Sequence, residues 1–258
     1  MNYFDNENNI IDFFQGWSEN TAYPVTETFG LENIFKSIHD VNKWKKWICS
    51  SKKFDPPPDF YSTEYKLMME VMRVDDHAHI KRGKLINPVN ERESRIQHEI
   101  RSANPTANRV IVNAVTDLPT YEDHNFIYYC SNFKRTLEKH IKSIPLYRNN
   151  HPGFKLIFFV LDESTDYCMI RDKDKVKRGV LPGERLFGRM HQFYLDKRFI
   201  NVFKSADIDY LIWFTPFKKT DSDRGIIEEP HISVYGIKDI EEDILLEYSE
   251  EYMISTEA

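Results

Sequence analysis

Three short segments of the chain are apolar on both of the faces that alternate along a β-strand. They are Leu67–Val74 (LMMEVMRV), Lys155–Leu161 (KLIFFVL) and Tyr210–Pro216 (YLIWFTP). A strand of this kind belongs in the middle of a sheet that is covered on both sides. The segments therefore predict a central sheet with other elements packed on each face.

Helical patterns lie before and between these strands. Apolar positions recur at helical spacing in residues 31–48, and Ser131–Ile144 has its apolar residues on one side. A further helix is expected to begin at Asn90, where Glu93 completes a capping box. Arg109–Val115 is expected to be another strand. Strands that alternate with helices indicate an α/β fold with a mixed central sheet flanked by helices.

We expect one α/β domain over residues 31–238. A polar and aromatic arm, residues 1–30, precedes it and is expected to pack loosely. An acidic C-terminal segment, residues 239–258, has eight acidic residues and no basic one. This segment either folds over a basic surface and competes with phosphate, or docks as an amphipathic helix. The spacing of its apolar residues favours the helix; they are Ile240, Ile244, Leu245 and Tyr248.

Composition argues against several classes of protein. The chain has only 9 glycines and no glycine-rich nucleotide-binding loop. Its 3 cysteines are far apart and form no C-x-x-C motif, which argues against a disulfide framework and a cysteine-based zinc site. The polar N-terminus lacks a signal-peptide pattern, and no apolar run reaches about 18 residues. We therefore expect a cytoplasmic protein with no membrane partner; the oligomeric state stays open.

Glu70 is the one acidic residue inside the first apolar strand. It shares a strand face with Met68 and Met72, where an unpaired carboxylate would be strongly disfavoured. Asp59 follows a proline upstream, and the short spacer between the two fits a hairpin that brings both carboxylates to one end of the sheet. Two such oxygen ligands suit Mg²⁺ or Mn²⁺. The alternative is structural: Asp59 caps a turn, and Glu70 forms an ion pair.

This arrangement resembles the restriction-endonuclease-like (PD-(D/E)XK) nuclease superfamily. Pro58-Asp59 matches the first half of the family signature, and Glu70-Val71-Met72 matches the second half in part. The resemblance covers about residues 31–161. It implies a restriction-endonuclease-like core with a C-terminal elaboration, and a divalent metal held by Asp59 and Glu70.

Met72 stands where that family has a lysine that orients or activates the attacking water. Lys66 is about 13 Å away along the strand, and Arg73 points to the opposite face. A base from a neighbouring helix, such as Lys134, would have to replace it. Glu32 is a candidate third acidic ligand.

Basic residues alternate with aromatic ones around the end of the first helix. Such a pattern is able to hold phosphates and stack bases, whereas the alternative is a core helix whose tryptophans pack inward and whose lysines stay in water. The residues are Lys43, Lys45, Lys46, Lys52 and Lys53, with Trp44 and Trp47.

Two further groups of acidic residues follow strands. Asp75-Asp76-His77-Ala78-His79 is expected to be a solvated turn rather than a metal site, because it lacks the helical H-x-x-x-H spacing. Asp162-Glu163 ends a buried strand, a position where α/β folds often bind ligands, but acidic residues there also cap helices.

The leading expectation is a divalent-metal-dependent nuclease that cleaves phosphodiester bonds of DNA or RNA, with Asp59 and Glu70 as catalytic metal ligands. The alternative is a non-catalytic binding or regulatory protein on a degenerate nuclease scaffold, which engages a protein or nucleic-acid partner. Met72 favours the second, and the buried Glu70 favours the first.

Overall fold

The fold is built around a seven-stranded mixed sheet with helices on both faces. The computed structural model describes residues 3–50, 56–81, 84–105, 124–181, 184–218 and 230–256. The α/β class predicted from the sequence is confirmed. A restriction-endonuclease-like core stays a prediction.

The strands of the described residues form three sheets. Their bounds are β1 (Ala22–Pro24), β2 (Ile48–Cys49), β3 (Phe60–Ser62), β4 (Leu67–Val74), β5 (His79–Lys81), β6 (Lys84–Ile86), β7 (Lys155–Asp162), β8 (Tyr167–Met169), β9 (Arg189–Met190), β10 (Tyr210–Phe214), β11 (Ile232–Gly236) and β12 (Met253–Ser255). The large sheet has the order β1-β11-β10-β7-β4-β3-β2. The two small sheets are β12-β8-β9 and the hairpin β5-β6.

The α-helices of the described residues are α1 (Glu7–Gln15), α2 (Leu31–His39), α3 (Val41–Trp44), α4 (Pro88–Ala103), α5 (Phe126–Ile141), α6 (Ile144–Asn150), α7 (Lys173–Arg178) and α8 (Lys197–Lys204). Short 3-10 turns occur at Tyr3–Asp5, Glu19–Thr21, Phe193–Leu195, Ile237–Asp239 and Glu250–Tyr252. None of these helices is long and apolar enough to cross a membrane.

Strands β4, β7 and β10 run parallel and form the centre of the sheet. β4 pairs with β7 over eight residues, from Leu67 opposite Lys155 to Val74 opposite Asp162. Nearly every side chain of both strands is buried, as the apolar patterns predicted. Because the carboxyl ends of parallel strands meet at one edge, the residues after Val74 and Asp162 collect there.

The sheet separates two hydrophobic layers. One layer joins the even-numbered apolar residues of β4 to α5, α6 and α8, with Met68, Phe133 and Trp213 at its centre. The other joins the odd-numbered residues of β4 to α1 and α2, with Met69 and Phe14 among its members. Glu70 is an even-numbered residue of β4, so its side chain points to the face of the sheet that α5 covers.

The N-terminal residues differ from the expected loose arm. α1 buries Ile10, Ile11 and Phe14 against the sheet, and β1 pairs with β11 in parallel. The rings of Phe14 and Phe159 lie 4.9 Å apart, edge to face. The periodicity of this short helix was visible, but its burial depends on the sheet face that it covers.

The helix predicted over residues 31–48 is broken after His39. Asp40 adopts an extended conformation, and its carboxylate accepts hydrogen bonds from the N–H groups of Asn42 and Lys43. An aspartate at such a position starts a new helix. The predicted strand Arg109–Val115 lies outside the described residues.

The acidic C-terminal segment is not an amphipathic helix. It runs over the surface in extended and 3-10 conformations, and β12 pairs with β8 in antiparallel fashion. Ile240 and Tyr248 are nevertheless buried, at 5% and 8% exposure. The apolar residues thus anchor the segment as predicted, with a different backbone geometry.

Replacing Phe14 tests whether the N-terminal helix belongs to the core. Phe14→Ala removes a fully buried ring and should lower the free energy of unfolding by about 3–5 kcal/mol. Urea denaturation measures this, with Asp12→Ala on the exposed side of the same helix as the control. Equal stability of the two variants would mean that α1 does not pack on the sheet in solution.

Candidate functional site

Asp59 and Glu70 are neighbours because β3 and β4 form an antiparallel hairpin. Phe60 pairs with Met69 in its register, so that residues 59 and 70 lie side by side. The backbone N–H of Val71 donates a hydrogen bond of 2.8 Å to Asp59 Oδ2. The structure therefore brings together the two carboxyl groups on which the expected metal site depends.

The environment of Asp59 favours its protonated form. Burial and the nearby Glu70 carboxylate raise the pKa of Asp59 from 3.8 to about 8, against the opposing effects of the Val71 hydrogen bond and the Lys139 charge. Two carboxyl groups this close and this poorly hydrated cannot both ionise readily without a cation. A divalent cation bound here would displace the proton.

Glu70 is buried, with 6% of its surface exposed. Its Oε1 lies 2.6 Å from His140 Nδ1. Its Oε2 is buried and accepts no hydrogen bond from the residues that the structure describes. Burial, followed by the Glu70 charge, raises the pKa of the Tyr147 hydroxyl. A buried carboxylate oxygen without a donor is costly, and it is also an open ligand position.

An open cleft of about 440 Å³ lies next to this pair. Its lining includes Glu7 of α1, Val71 and Met72 of β4, and Lys139 and His140 of α5. His140 also contacts Glu70, so one residue separates the cleft from that carboxylate.

The cationic group beside the pair is Lys139, not Lys134. Lys139 lines the cleft, and its charge acts on the pKa of Asp59. The Lys134 side chain is 72% exposed and lies 4.0 Å from Glu138. Met72 is 3% exposed and brings no charge, so the lysine of the family signature has no counterpart on this strand.

The basic residues that flank the strand have other partners. The Arg73 guanidinium donates hydrogen bonds of 2.8 Å to Glu163 and 3.0 Å to Asp5. The Lys66 ammonium lies 5.1 Å from the ring centroid of Phe154. Both side chains are thus engaged elsewhere, although Arg73 also lines the cleft.

The third acidic residue near the pair comes from α1 rather than α2. Glu7 lines the cleft, and its charge contributes to the raised pKa of Asp59. Glu32, the candidate taken from the sequence, is instead 76% exposed and paired with Lys36 at 2.5 Å. Glu32 is therefore not part of the site.

Sequence reasoning missed His140, Lys139 and Glu7. A signal for His140 existed, because it lies three residues after Leu137 and falls on the stripe that faces the sheet. A polar residue on a buried stripe opposite a strand glutamate is a candidate partner for that glutamate. No comparable signal pointed to Glu7, since its position depends on how α1 packs.

The tryptophans of the basic cluster belong to the core. Trp47 is 8% exposed, and its indole N–H donates a hydrogen bond of 2.9 Å to the Ser37 carbonyl. Trp44 stacks on Trp47 with ring centroids 5.4 Å apart. This is the inward-packing alternative, so stacking of bases on these rings is disfavoured.

The lysines of the cluster are on the surface where they are described. Lys45 and Lys46 are exposed, and Lys46 pairs with Glu64 at 3.0 Å. Lys43 is half-buried on α3. Lys52 and Lys53 lie outside the described residues. A role for these lysines in binding phosphates stays a prediction.

A second polar cluster lies at the carboxyl edge of the parallel strands. Asp162 is fully buried and accepts hydrogen bonds from the Tyr129 hydroxyl at 2.7 Å and the Trp213 indole N–H at 3.0 Å. Glu163 is bound to Arg73. These contacts give Asp162 and Glu163 structural roles apart from the Asp59–Glu70 pair.

The segment expected to be a solvated turn is partly in the interior. Asp76 is fully buried, and together with His77 and His124 it forms a group whose potential ligand atoms lie within 4.8 Å of one another. His124 is 47 positions beyond His77, which is why spacing along the chain gave no sign of the cluster.

The raised pKa of Asp59 predicts how stability depends on pH without a divalent cation. A carboxyl group with a higher pKa in the folded state binds more protons when folded, so stability should fall as pH rises from about 4 to 8, by at most about 1.4 kcal/mol per pH unit. Asp59→Asn keeps an acceptor for the Val71 N–H and removes the titration. It should flatten the dependence and be more stable than the parent at pH 8.

Melting temperatures across this pH range in a metal-free buffer provide the measurement. Asp243→Asn, at an exposed position of the C-terminal segment, is the matched control and should follow the parent protein. If Asp59→Asn lost stability at pH 8, the carboxylate would instead be held ionised by its surroundings.

No protein-family model, no curated protein and no solved structure matches the chain.

Proposed function

We propose that the protein is a divalent-metal-dependent nuclease that cleaves phosphodiester bonds of DNA or RNA, with Asp59 and Glu70 as ligands of Mg²⁺ or Mn²⁺. The observation that carries the proposal is the hairpin of β3 and β4, which places the Asp59 carboxyl group beside the buried Glu70 carboxylate. The raised pKa of Asp59 agrees with this crowding. Oxygen ligands of this kind suit a hard divalent cation. The partial match of Pro58-Asp59 and Glu70 to the nuclease signature agrees with this assignment.

The donor set fits such a cation. Glu70 has one oxygen on His140 and a second that accepts no hydrogen bond from the described residues, while Asp59 has one oxygen on a backbone N–H. In each carboxyl group, one oxygen is thus held by a hydrogen bond that fixes the orientation of the side chain. The second oxygen remains available to bind the cation. The cation would supply activation of water and stabilisation of charge on the phosphate.

His140 and Lys139 are adjacent on α5 and have different roles in the proposal. His140 holds Glu70 in place through its contact of 2.6 Å. Lys139 supplies a positive charge beside the pair, where Met72 stands in place of the usual lysine. An ammonium group beside a metal-bound carboxylate is able to orient the attacking water or stabilise the charge of the transition state.

Arginines also line the cleft beside Lys139, and Arg73 among them is paired with Glu163 and Asp5. Arg135 lies one helical turn before Lys139 on α5 and lines the same cleft. Its guanidinium donates a hydrogen bond of 2.9 Å to Asn132 Oδ1, which leaves other N–H groups for a phosphate. Arg135 and Lys139 are thus suited to bind the phosphodiester backbone. The lysines at positions 43, 45, 46, 52 and 53 are proposed to extend this contact electrostatically.

A non-catalytic binding protein is the second candidate. Buried Met72 favours it, because a nuclease site that lost its strand lysine would keep the scaffold and lose the chemistry. The two candidates differ in one measurable respect. The nuclease needs Lys139 for turnover, whereas the binding protein retains its partner without any metal-dependent cleavage.

Cleavage of labelled single- and double-stranded DNA and RNA tests the proposal. We expect activity with Mg²⁺ or Mn²⁺ that is lost on chelation. Asp59→Ala and Glu70→Ala should abolish it, because each removes a ligand. Lys139→Ala should reduce kcat by about 10²–10⁴-fold, the usual effect of losing a catalytic proton-transfer or charge-stabilising group.

Lys134→Ala is the matched control, since it removes a lysine from the exposed side of the same helix and should leave kcat unchanged. Circular dichroism and melting temperatures establish that each variant is folded. Activity that persists in both carboxylate variants would overturn the nuclease assignment. Binding of nucleic acid without cleavage in any metal would favour the second candidate.

A further inference from the structure

A cluster of two histidines and an aspartate lies beyond the end of β4. Asp76 and His77 follow the last residue of the strand by two and three positions, and His124 precedes α5. Four strand residues, about 13 Å, separate Glu70 from the strand end at Val74. The cluster is therefore separate from the Asp59–Glu70 pair and independent of the function proposed for it.

We propose that Asp76, His77 and His124 bind one Zn²⁺ ion. His124 Nδ1 lies 3.2 Å from Asp76 Oδ2, and His77 Nε2 lies 3.6 Å from Asp76 Oδ1. Ligand atoms of a tetrahedral zinc site, each about 2.0–2.1 Å from the metal, are about 3.3 Å apart. The separation between His77 Nε2 and Asp76 Oδ1 agrees with such a site to within a few tenths of an ångström. His124 Nδ1 contacts the second oxygen of the same carboxylate, and one ligand atom from each of the three residues lies within 4.8 Å of the others.

The Asp76 carboxylate carries an independent sign of a missing ligand. Its side chain is fully buried, and its Oδ1 accepts no hydrogen bond from the described residues. A buried carboxylate oxygen without a donor is costly, and such an atom in a folded protein calls for a partner. His77 Nε2, at 3.6 Å, is too far from Oδ1 for a hydrogen bond but suitably placed to share a metal with it.

The other oxygen of Asp76 is firmly held. Oδ2 accepts hydrogen bonds of 2.6 Å from the Tyr167 hydroxyl and 3.1 Å from the Thr165 N–H. Metal-binding carboxylates commonly have such partners, which fix the orientation of the ligand.

The ligand types select the metal. Two imidazoles with one carboxylate suit zinc, whereas Mg²⁺ prefers oxygen ligands alone. His77 and His124 are each 16% exposed, so one side of the cluster is open to solvent. A cavity of about 180 Å³ lined by His124 borders it. Three protein ligands with solvent access leave the fourth position for water or a small anionic ligand.

Zinc binding would connect distant parts of the chain. His77 follows β4, whereas His124 introduces the helix that carries Lys139 and His140 to the other site. The ion would tie the start of α5 to the end of the strand. Removal of the ion should therefore destabilise the protein, since a ligand that binds only the folded state raises its stability.

Metal content and melting temperature test the proposal on the full-length protein. The protein is first stripped with a chelator and then given ZnCl₂. We expect one Zn²⁺ per chain by inductively coupled plasma mass spectrometry. We also expect a higher melting temperature than for the metal-free protein. His77→Ala and His124→Ala should each reduce the bound zinc at least tenfold. Co²⁺ in place of zinc should give the visible absorption bands of a four-coordinate site.

His98→Ala is the matched control, because His98 is exposed on α4 and should leave zinc binding unchanged. Asp59→Ala should also retain the zinc, which separates this site from the proposed nuclease site. Asp76→Asn serves as a third ligand variant if a histidine variant fails to fold. Absence of stoichiometric zinc in the parent protein, or unchanged zinc in folded ligand variants, would overturn the proposal.

Discussion

The parallel pairing of β4 with β7 is the constraint on which the rest of the structure depends. It extends over eight residues and is buried on both faces. The hydrophobic effect fixes its register, because a slip by one residue would exchange the two faces of a strand. That register points Glu70 toward α5, and it sends the residues after Val74 and Asp162 to a common edge. Both candidate sites are built on residues of β4 or directly after it, with the β3–β4 hairpin adding Asp59 and the start of α5 adding His124.

Desolvation of carboxyl groups is the common physical theme of the two sites. At Asp59, burial and the nearby Glu70 carboxylate both raise the pKa of the carboxyl group, to about 8. At Asp76 the neighbouring histidine offsets burial, and the carboxylate form is favoured. Each site leaves a buried oxygen without a hydrogen bond from the described residues, on Glu70 in one case and on Asp76 in the other. Polar atoms of this kind are expensive in a folded protein, and a bound cation is one way to stabilise them.

The surroundings differ in the type of cation that they favour. The first site offers carboxylates, with a lysine and a histidine next to them, and opens into a wide cleft. The second offers two imidazoles and one carboxylate, and it is narrower. Hard cations such as Mg²⁺ suit the first, and zinc suits the second. One helix, α5, begins beside the second site and carries Lys139 and His140 to the first. The two sites therefore share a rigid element without sharing ligands.

The sequence by itself determined the local geometry. Strands with two apolar faces predicted the central sheet. The short spacer between Asp59 and Glu70 predicted the hairpin that makes them neighbours. Patterns of this kind suffice because strand parity and short hairpin connections are decided within about ten residues.

Only the tertiary structure decided which distant groups join these acidic residues. Lys139 and Glu7 line the cleft near the carboxyl pair, Glu32 does not, and His124 meets Asp76 across 48 positions of the chain. The same holds for the C-terminal segment, whose apolar residues are buried without the predicted helix. Such contacts depend on how helices and extended segments pack on the sheet, and packing is set by the shapes of whole layers rather than by local spacing.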